Sequence, residues 1–218
     1  RSIMKDSSGN IWSGGYYNLK EIDYSRKNIR HFPGLNGITA IIEKDSTHMW
    51  IGTSTGLYLL EKATGKYTYI QMPVESYYIY SLCQASDGML YIGTNNAGLL
   101  VYDTTKNTFR HYHRDNCALI SNNIYTLLSD GKGNIFLSTE HGLSTFYPVE
   151  ETFHNWTKEQ GLKSDHFNAA SGTLRKNGNF IFGSTDGAIE FNKDMILPRD
   201  YKFKMVFSDL RVFYQTVY

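Results

Sequence analysis

No window of eleven residues in this chain keeps its apolar side chains at helical spacing, and no apolar run approaches the roughly 18 residues of a membrane span. Those absences exclude a helix bundle and a spanning helix within the sequence. There is no secretory leader pattern at the start. Charge of one sign is also missing: 22 Lys and Arg stand against 21 Asp and Glu, net +1, with no basic block to neutralise a phosphate backbone, so nucleic acid is not an expected partner. With only two cysteines, Cys83 in an apolar strand and Cys117 in a loop, there is no disulfide framework, and Cys83 is expected to be a buried thiol.

Aromatics are abundant, with 17 Tyr, 12 Phe and 3 Trp. They suit pleated sheets and sugar-binding surfaces alike, so the count decides nothing alone. What decides is a phrase spelled five times: GNIWSGG from Gly9, MWIGT from Met49, LYIGT from Leu90, IFLST from Ile135 and GNFIFGS from Gly178. Its anchors Gly14, Gly52, Gly93, Ser138 and Gly183 are 38, 41, 45 and 45 residues apart. A period in that range built of short strands predicts an all-β fold, a β-propeller with one four-stranded blade per repeat.

Repeat two divides most cleanly: Ile38–Glu43, Met49–Thr53, Leu57–Glu61 and Tyr67–Ile70 are β-branched and aromatic runs separated by turn residues. Third strands are expected again at Leu19–Asp23, Leu99–Asp103, Leu143–Tyr147 and Ala188–Asn192, and fourth strands at Ile29–Phe32, Phe109–Tyr112 and Phe153–Trp156. The residue before each third strand, Gly56, Gly98, Gly142 or Gly187, sits where a tight reversal asks for positive φ; Asn18 takes that place in repeat one. Glycine inside the second strand is expected to serve a close backbone approach or the packing of a neighbouring blade's aromatic ring. Trp12, Trp50, Tyr91 and Phe136, with Ile181 in repeat five, share one position and are expected to fill the space between blades.

The phrase DSSGNIWSGG, followed by a strand ending in Asp and a Lys/Thr-x-Gly-Lys turn, resembles the two-component regulator propeller repeat. The resemblance spans all five units, about residues 1–195, and implies the extracytoplasmic sensor part of a hybrid two-component histidine kinase of the Bacteroides type. It further implies a periplasmic location, with the membrane reached only through the parent chain. EQGLKSDHFNAASGTLRKNGNFIFGSTDGAIEFN resembles the closing blade before a small β-sandwich, and FKMVFSDLRVF resembles the first strand of that sandwich. The expected domains are therefore a propeller segment over 1–197 and the start of a C-terminal sandwich over 198–218. Members of this family usually carry seven-bladed rings. Repeat five shows no evident fourth strand and the chain begins in mid-pattern, so the five blades are expected to form part of a larger ring that seeks further blades or a second copy of itself, as a homodimer.

Alternating strands place first-to-second and third-to-fourth turns on one rim. The second-to-third turns and blade-to-blade loops share the other. The first rim consists of tight turns whose Asp, Gly and Asn answer to geometry. The second rim varies from blade to blade, as a binding surface must. Its candidate ligand residues are Tyr16, Tyr17, Tyr77, Tyr78, Asn95, Asn96, Glu140, His141, His166 and Asp186. Tyrosine faces stack on sugar C–H surfaces and amides bond hydroxyl pairs, so the expected ligand is an oligosaccharide. No cofactor and no metal is expected: His111 and His113 lack a third ligand, and Ser129-Asp130-Gly131 lacks the alternating carboxylates of a calcium loop. A carbohydrate-active enzyme, glycosidase or lyase, is the rival reading, with Glu140 and Asp186 the one tempting carboxylate pair. A scaffold or dimerisation propeller is the third.

Overall fold

The computed structural model describes residues 2–192 apart from residues 24, 26, 76 and 77, together with the backbone of residues 211, 212, 215 and 216. Blade one comprises β1 (Ser2–Lys5), β2 (Ile11–Gly14), β3 (Leu19–Asp23) and β4 (Asn28–Phe32); blade two comprises β5 (Ile38–Glu43), β6 (His48–Thr53), β7 (Gly56–Glu61) and β8 (Tyr67–Ile70). Blade three holds β9 (Ile79–Gln84), β10 (Leu90–Thr94), β11 (Leu99–Asp103) and β12 (Thr108–Tyr112); blade four holds β13 (Ile124–Ser129), β14 (Ile135–Thr139), β15 (Gly142–Tyr147) and β16 (Thr152–Trp156). The fifth shows three strands among the described residues, β17 (Phe167–Leu174), β18 (Asn179–Ser184) and β19 (Gly187–Asn192). Every sheet is an antiparallel meander in chain order. A single 3-10 turn, Lys158–Gln160, is the one helical element among the described residues.

First strands face the axis: β5 packs against β1 and β9, and β13 against β9 and β17. No comparable contact joins β17 to β1 among the described residues, so the blades form an open arc. Four apolar clusters occupy the four seams. Trp12, Leu19, Ile38 and Ile51 fill the first seam, and Trp50, Leu57, Ile79 and Ile92 the second. Tyr91, Leu99, Ile124 and Leu137 fill the third, and Phe136, Leu143, Phe167 and Phe180 the fourth. Trp12, Trp50, Tyr91 and Phe136 are all at most 3% exposed, as their shared position requires.

In blades one to three the second-strand glycines serve isoleucine rather than an aromatic ring, while Gly183 in blade five lies against Ser171. A Cβ on Gly14 would lie 2.4 Å from Ile38 Cγ2, one on Gly52 2.8 Å from Ile79 Cγ2, and one on Gly93 2.9 Å from Ile124 Cγ2. Each glycine thus admits the first residue of the next blade's inner strand. At the turn before β11, Gly98 has φ 77°, and a Cβ there would meet the Tyr112 carbonyl at 2.2 Å; in blade one Asn18 takes the same left-handed geometry at φ 57°.

Both cysteines are free; Cys83 packs on the third cluster, and burial pushes its thiol up to about 11. The expected sandwich start at 198–218 lies outside the described residues, apart from the backbone of a two-residue pairing of Arg211–Val212 with Gln215–Thr216. No helix among the described residues is long and apolar enough to cross a membrane.

Candidate functional site

The inner strands share an irregularity at the same place. In β5 the pairing steps from Ile38↔Thr53 to Ala40↔Gly52, which leaves Thr39 as an extra residue. In β9 it steps from Ile79↔Thr94 to Ser81↔Gly93, skipping Tyr80; in β13 Tyr125 is skipped in the same way. β17 goes further, with four residues, 168–171, between Phe167↔Ser184 and Gly172↔Phe182. Ala170 within it adopts φ 53°, left-handed backbone that a Cβ disfavours. Bulges re-aim side chains and gather beside binding sites. Here four consecutive blades place one at the loop-rim end of the axial strand.

What the bulges bring together is aromatic. The Tyr78 and Tyr80 rings lie 5.0 Å apart, and Tyr80 meets Tyr125 edge to face at 5.1 Å and 86°. Thr39, Tyr78, Tyr80, Ala169 and Ala170 line a cavity of about 340 Å³, which joins blades two, three and five across the axis. Thr39 spends its hydroxyl on the neighbouring blade, 2.5 Å from the Ile79 carbonyl. Burial pushes the Tyr80 phenol up, and Tyr125, Tyr78 and Glu140 act in the same direction. Burial and Glu140 raise Tyr125 likewise.

Of the residues the sequence nominated, Tyr78 belongs to this cluster, and its carbonyl accepts from the Asn95 N–H at 2.9 Å. Glu140, His141 and His166 form a second group. Ser121 Oγ donates to Glu140 Oε1 at 3.1 Å, His141 Nε2 lies 3.6 Å from the same oxygen, and His166 Nδ1 donates to the Glu140 carbonyl at 3.0 Å. Asn96 donates its backbone N–H to Asn123 Oδ1 at 2.7 Å beside a groove of about 420 Å³ that also holds His111 and His113. Tyr16 and Tyr17 stand 65% and 83% exposed on the β2–β3 turn of blade one, and Asp186 is exposed on the β18–β19 turn. None of these three enters the axial cavity. Tyr77 lies outside the described residues. His111 donates through Nε2 to the Ala97 carbonyl at 2.6 Å, which commits one imidazole to the loop.

Sequence reasoning passed over Tyr80 and Tyr125 and took Thr39 as an ordinary position of the strand Ile38–Glu43. The signal was present in the aligned runs ITAI, IYSL and IYTL, where a large or polar residue follows the first buried isoleucine of each inner strand.

The opposite rim also holds more than turn geometry. Asp6, with a side chain 1% exposed, accepts from the Asn10 N–H and from Trp12 Nε1 at 2.9 Å each, and lies 3.6 Å from Lys62 Nζ. Lys62 also bonds Glu43, whose other contacts are the Ser7 N–H and hydroxyl at 2.8 Å. Arg30 bonds the Lys62 carbonyl at 2.9 Å and Glu21 at 3.1 Å. An ionic clip thus joins blade one to blade two. Hydrogen bonds from Trp12 and Asn10 and the charge of Lys62 outweigh the opposing effect of burial, so the Asp6 carboxyl lies below its ordinary value; Lys62 and Ser7 lower Glu43 in the same way, again against its burial. The motif recurs in part, with Tyr91 donating to Asp87 at 2.7 Å, while Asp130 accepts from its own turn at Lys132 and Asn134.

Comparison with known proteins adds the following. Residues 73–96 match the model of the two-component regulator propeller. The chain is 22% identical over 187 residues to histidine kinase P4 of Formosa agariphila, covering 81% of this chain and 13% of that protein. The extracellular domain of a hybrid two-component system of B. thetaiotaomicron superposes with a TM-score of 0.62 at 20% identity, covering 88% of this chain and 33% of that one. A virginiamycin B lyase from Staphylococcus aureus superposes at 0.68 with 10% identity over 87% of this chain and 68% of the lyase. The chain therefore spans a small part of the sensor-type relatives, and the structural likenesses show the propeller fold.

Proposed function

From the premise that the chain carries two-component regulator propeller repeats, we propose that it is the ligand-sensing propeller segment of an extracytoplasmic, membrane-anchored hybrid sensor kinase, located in the periplasm, and that its ligand is an oligosaccharide bound at the loop rim. The observation that carries this reading is the tyrosine-lined axial cavity built by bulges at one position in successive blades. A saccharide ring offers C–H faces to the Tyr78, Tyr80 and Tyr125 cluster, and its hydroxyls find protonated phenols.

Signalling in this reading is a population shift. A ligand that spans blades two, three and five favours one setting of the arc over another, and that preference passes to whatever packs on its ends. The segment itself performs no chemistry. The Glu140 carboxylate is engaged by Ser121 and His141, while Asp186 stands exposed on the β18–β19 turn with only its backbone N–H held, by Ser184 Oγ. Further blades, the downstream sandwich and a second copy of the chain are the protein partners of this reading, because among the inner strands of the described residues β1 packs mainly on β5 and β17 mainly on β13.

A panel of host and plant oligosaccharides titrated calorimetrically into the chain tests this. Binding without turnover that is lost on Tyr80→Ala supports a sensor; release of smaller sugars supports the enzyme reading; absence of both leaves the scaffold.

A further inference from the structure

Blade five repeats the frame of its neighbours as far as its third strand. Phe191 of β19 stands where Tyr102 stands in β11 and Phe146 in β15, each paired with the residue three positions before its repeat's anchor: Phe180, Leu90 and Ile135. In blades three and four a phenylalanine of the fourth strand covers that ring. Phe109 pairs with Tyr102 and stacks on it at 4.3 Å and 13°; Phe153 pairs with Phe146 and stacks on it at 4.6 Å and 30°. Phe153 also meets Tyr112 of the preceding blade edge to face at 5.8 Å. Tyr102 and Phe146 are at most 5% exposed under this cover, whereas Phe191 is only half-buried. Among the described residues no strand lies along β19 on the side away from β18.

At the fourth seam the place of that phenylalanine is a cavity. It measures about 330 Å³ and is walled by Leu143 and Trp156 of blade four, Leu162 of the connecting loop, and Ile189 and Phe191 of β19. Trp156 is the counterpart of Tyr112, since each pairs with the corresponding third-strand leucine, Leu143 or Leu99. The two rings that hold Phe153 at the third seam thus have their equivalents, Trp156 and Phe191, in the wall of this cavity. An apolar space of about 150 Å³ already takes a benzene ring. The sequence that follows does not supply the ring at the spacing its neighbours use. Four residues separate Asp103 from its partner Thr108, and Tyr147 from Thr152; the same count after Asn192 brings Pro198 to the aromatic position. Proline has neither an aromatic face nor a ladder N–H.

The geometry points to strand addition at β19: an extended segment from outside these 218 residues runs antiparallel along residues 187–191 and seats an aromatic side chain opposite Phe191, in the cavity between that ring and Trp156. Backbone hydrogen bonds along the β19 edge supply affinity. The aromatic socket fixes register, because a slip of one residue turns the ring to the other face of the sheet. The inference rests on the protein-partner part of the reading above, narrows it from a further blade to one strand with a defined anchor, and does not depend on a saccharide.

The probe is a copy of the chain's own fourth strand, the fluorescently labelled peptide EETFHNWT of residues 150–157, titrated into the full chain with anisotropy as the readout. Saturable binding is expected. Phe153→Ala in the peptide should weaken it about tenfold or more, the scale of one buried aromatic contact, and Phe153→Pro should lose at least as much. Phe191→Leu in the chain should weaken the unaltered peptide by a similar factor, while Tyr16→Ala, on the exposed β2–β3 turn of blade one, should leave it unchanged. The peptide-side changes cannot unfold the chain, so they decide the matter even where Phe191→Leu destabilises blade five. No binding of EETFHNWT, or binding indifferent to Phe153→Ala and Phe191→Leu, overturns the inference. Saccharide titration of the same sample reads the sensor proposal separately, so the failure of one is distinguishable from the failure of the other.

Discussion

The two rims of the arc use similar residues for opposite purposes. On the turn rim, carboxylates are consumed by the fold: Asp6 by Trp12, Asn10 and Lys62, Asp87 by Tyr91, Asp45 by Thr47 and His48, Asp103 by Thr105 and Lys106. On the loop rim, bulges lift Tyr80 and Tyr125 out of the pairing pattern, Tyr80 into an axial cavity and Tyr125 edge to face against it. A polar residue pinned by two or three neighbours contributes to stability and has little left to offer a ligand. A side chain displaced from the ladder contributes less to the sheet and stays available. The difference teaches that the regular parts of a repeat hold it together, while the residues displaced at the inner-strand bulges of blades two to five differentiate it.

Several substitutions break or sharpen that contrast. The largest effect belongs to the seams both rims share: Trp50→Ala, which empties a site 2% exposed, should cost about 3–5 kcal/mol, read as a lowered denaturant midpoint at unchanged slope. Next comes the clip. Asp6→Ala removes the partner of Trp12 Nε1 and leaves Lys62 short of one carboxylate, a loss of about 2–3 kcal/mol. If the chain tolerates that change as readily as Lys66→Ala, which should fall within about 0.5 kcal/mol, the turn rim is ornament and the contrast fails.

Acid probes the same clip with a defined sign. The folded-state values of Asp6 and Glu43 lie below their ordinary ones, so their contribution is present above the ordinary carboxylate range and is lost as pH falls through the folded values. Thermal midpoints should therefore drop from about pH 5 downward. Lys62→Met should flatten that drop, because it removes the charge that helps hold both carboxylates ionised. An unchanged acid profile would remove the clip from the account. The smallest stability effects belong to the loop rim, where Tyr16→Ala and Tyr17→Ala should shift stability by less than about 0.5 kcal/mol.

Much of this was legible in the residues. Strands β3, β5, β8 and β11 have the bounds their turn residues imply, and Asn18 does adopt the left-handed geometry that its alignment with Gly56 and Gly98 requires. The clip was not legible, since Asp6 and Lys62 are 56 positions apart and only the docking of blade two onto blade one brings them together. Nor were the bulges, because register is a property of two strands: Tyr80 looks like any strand residue until Ile79 pairs with Thr94 and Ser81 with Gly93. The structure separates the candidate residues from the loops by position. Tyr78 lines the axial cavity and its carbonyl takes the Asn95 N–H, Glu140 and His166 bond each other, and Tyr16, Tyr17 and Asp186 stand on exposed turns outside the cavity.

The division of labour between rims is most directly tested by measuring thermal midpoint and saccharide affinity side by side on two variants, Asp6→Ala and Tyr80→Ala, against the unaltered chain. The account predicts a crossed result. Asp6→Ala melts well below the parent yet binds the saccharide normally at a temperature where it is folded, while Tyr80→Ala melts close to the parent and loses roughly five- to 150-fold in affinity, the equivalent of one stacked or hydrogen-bonded group. Loss of binding in Asp6→Ala with retention in Tyr80→Ala would place the functional face on the turn rim and contradict it.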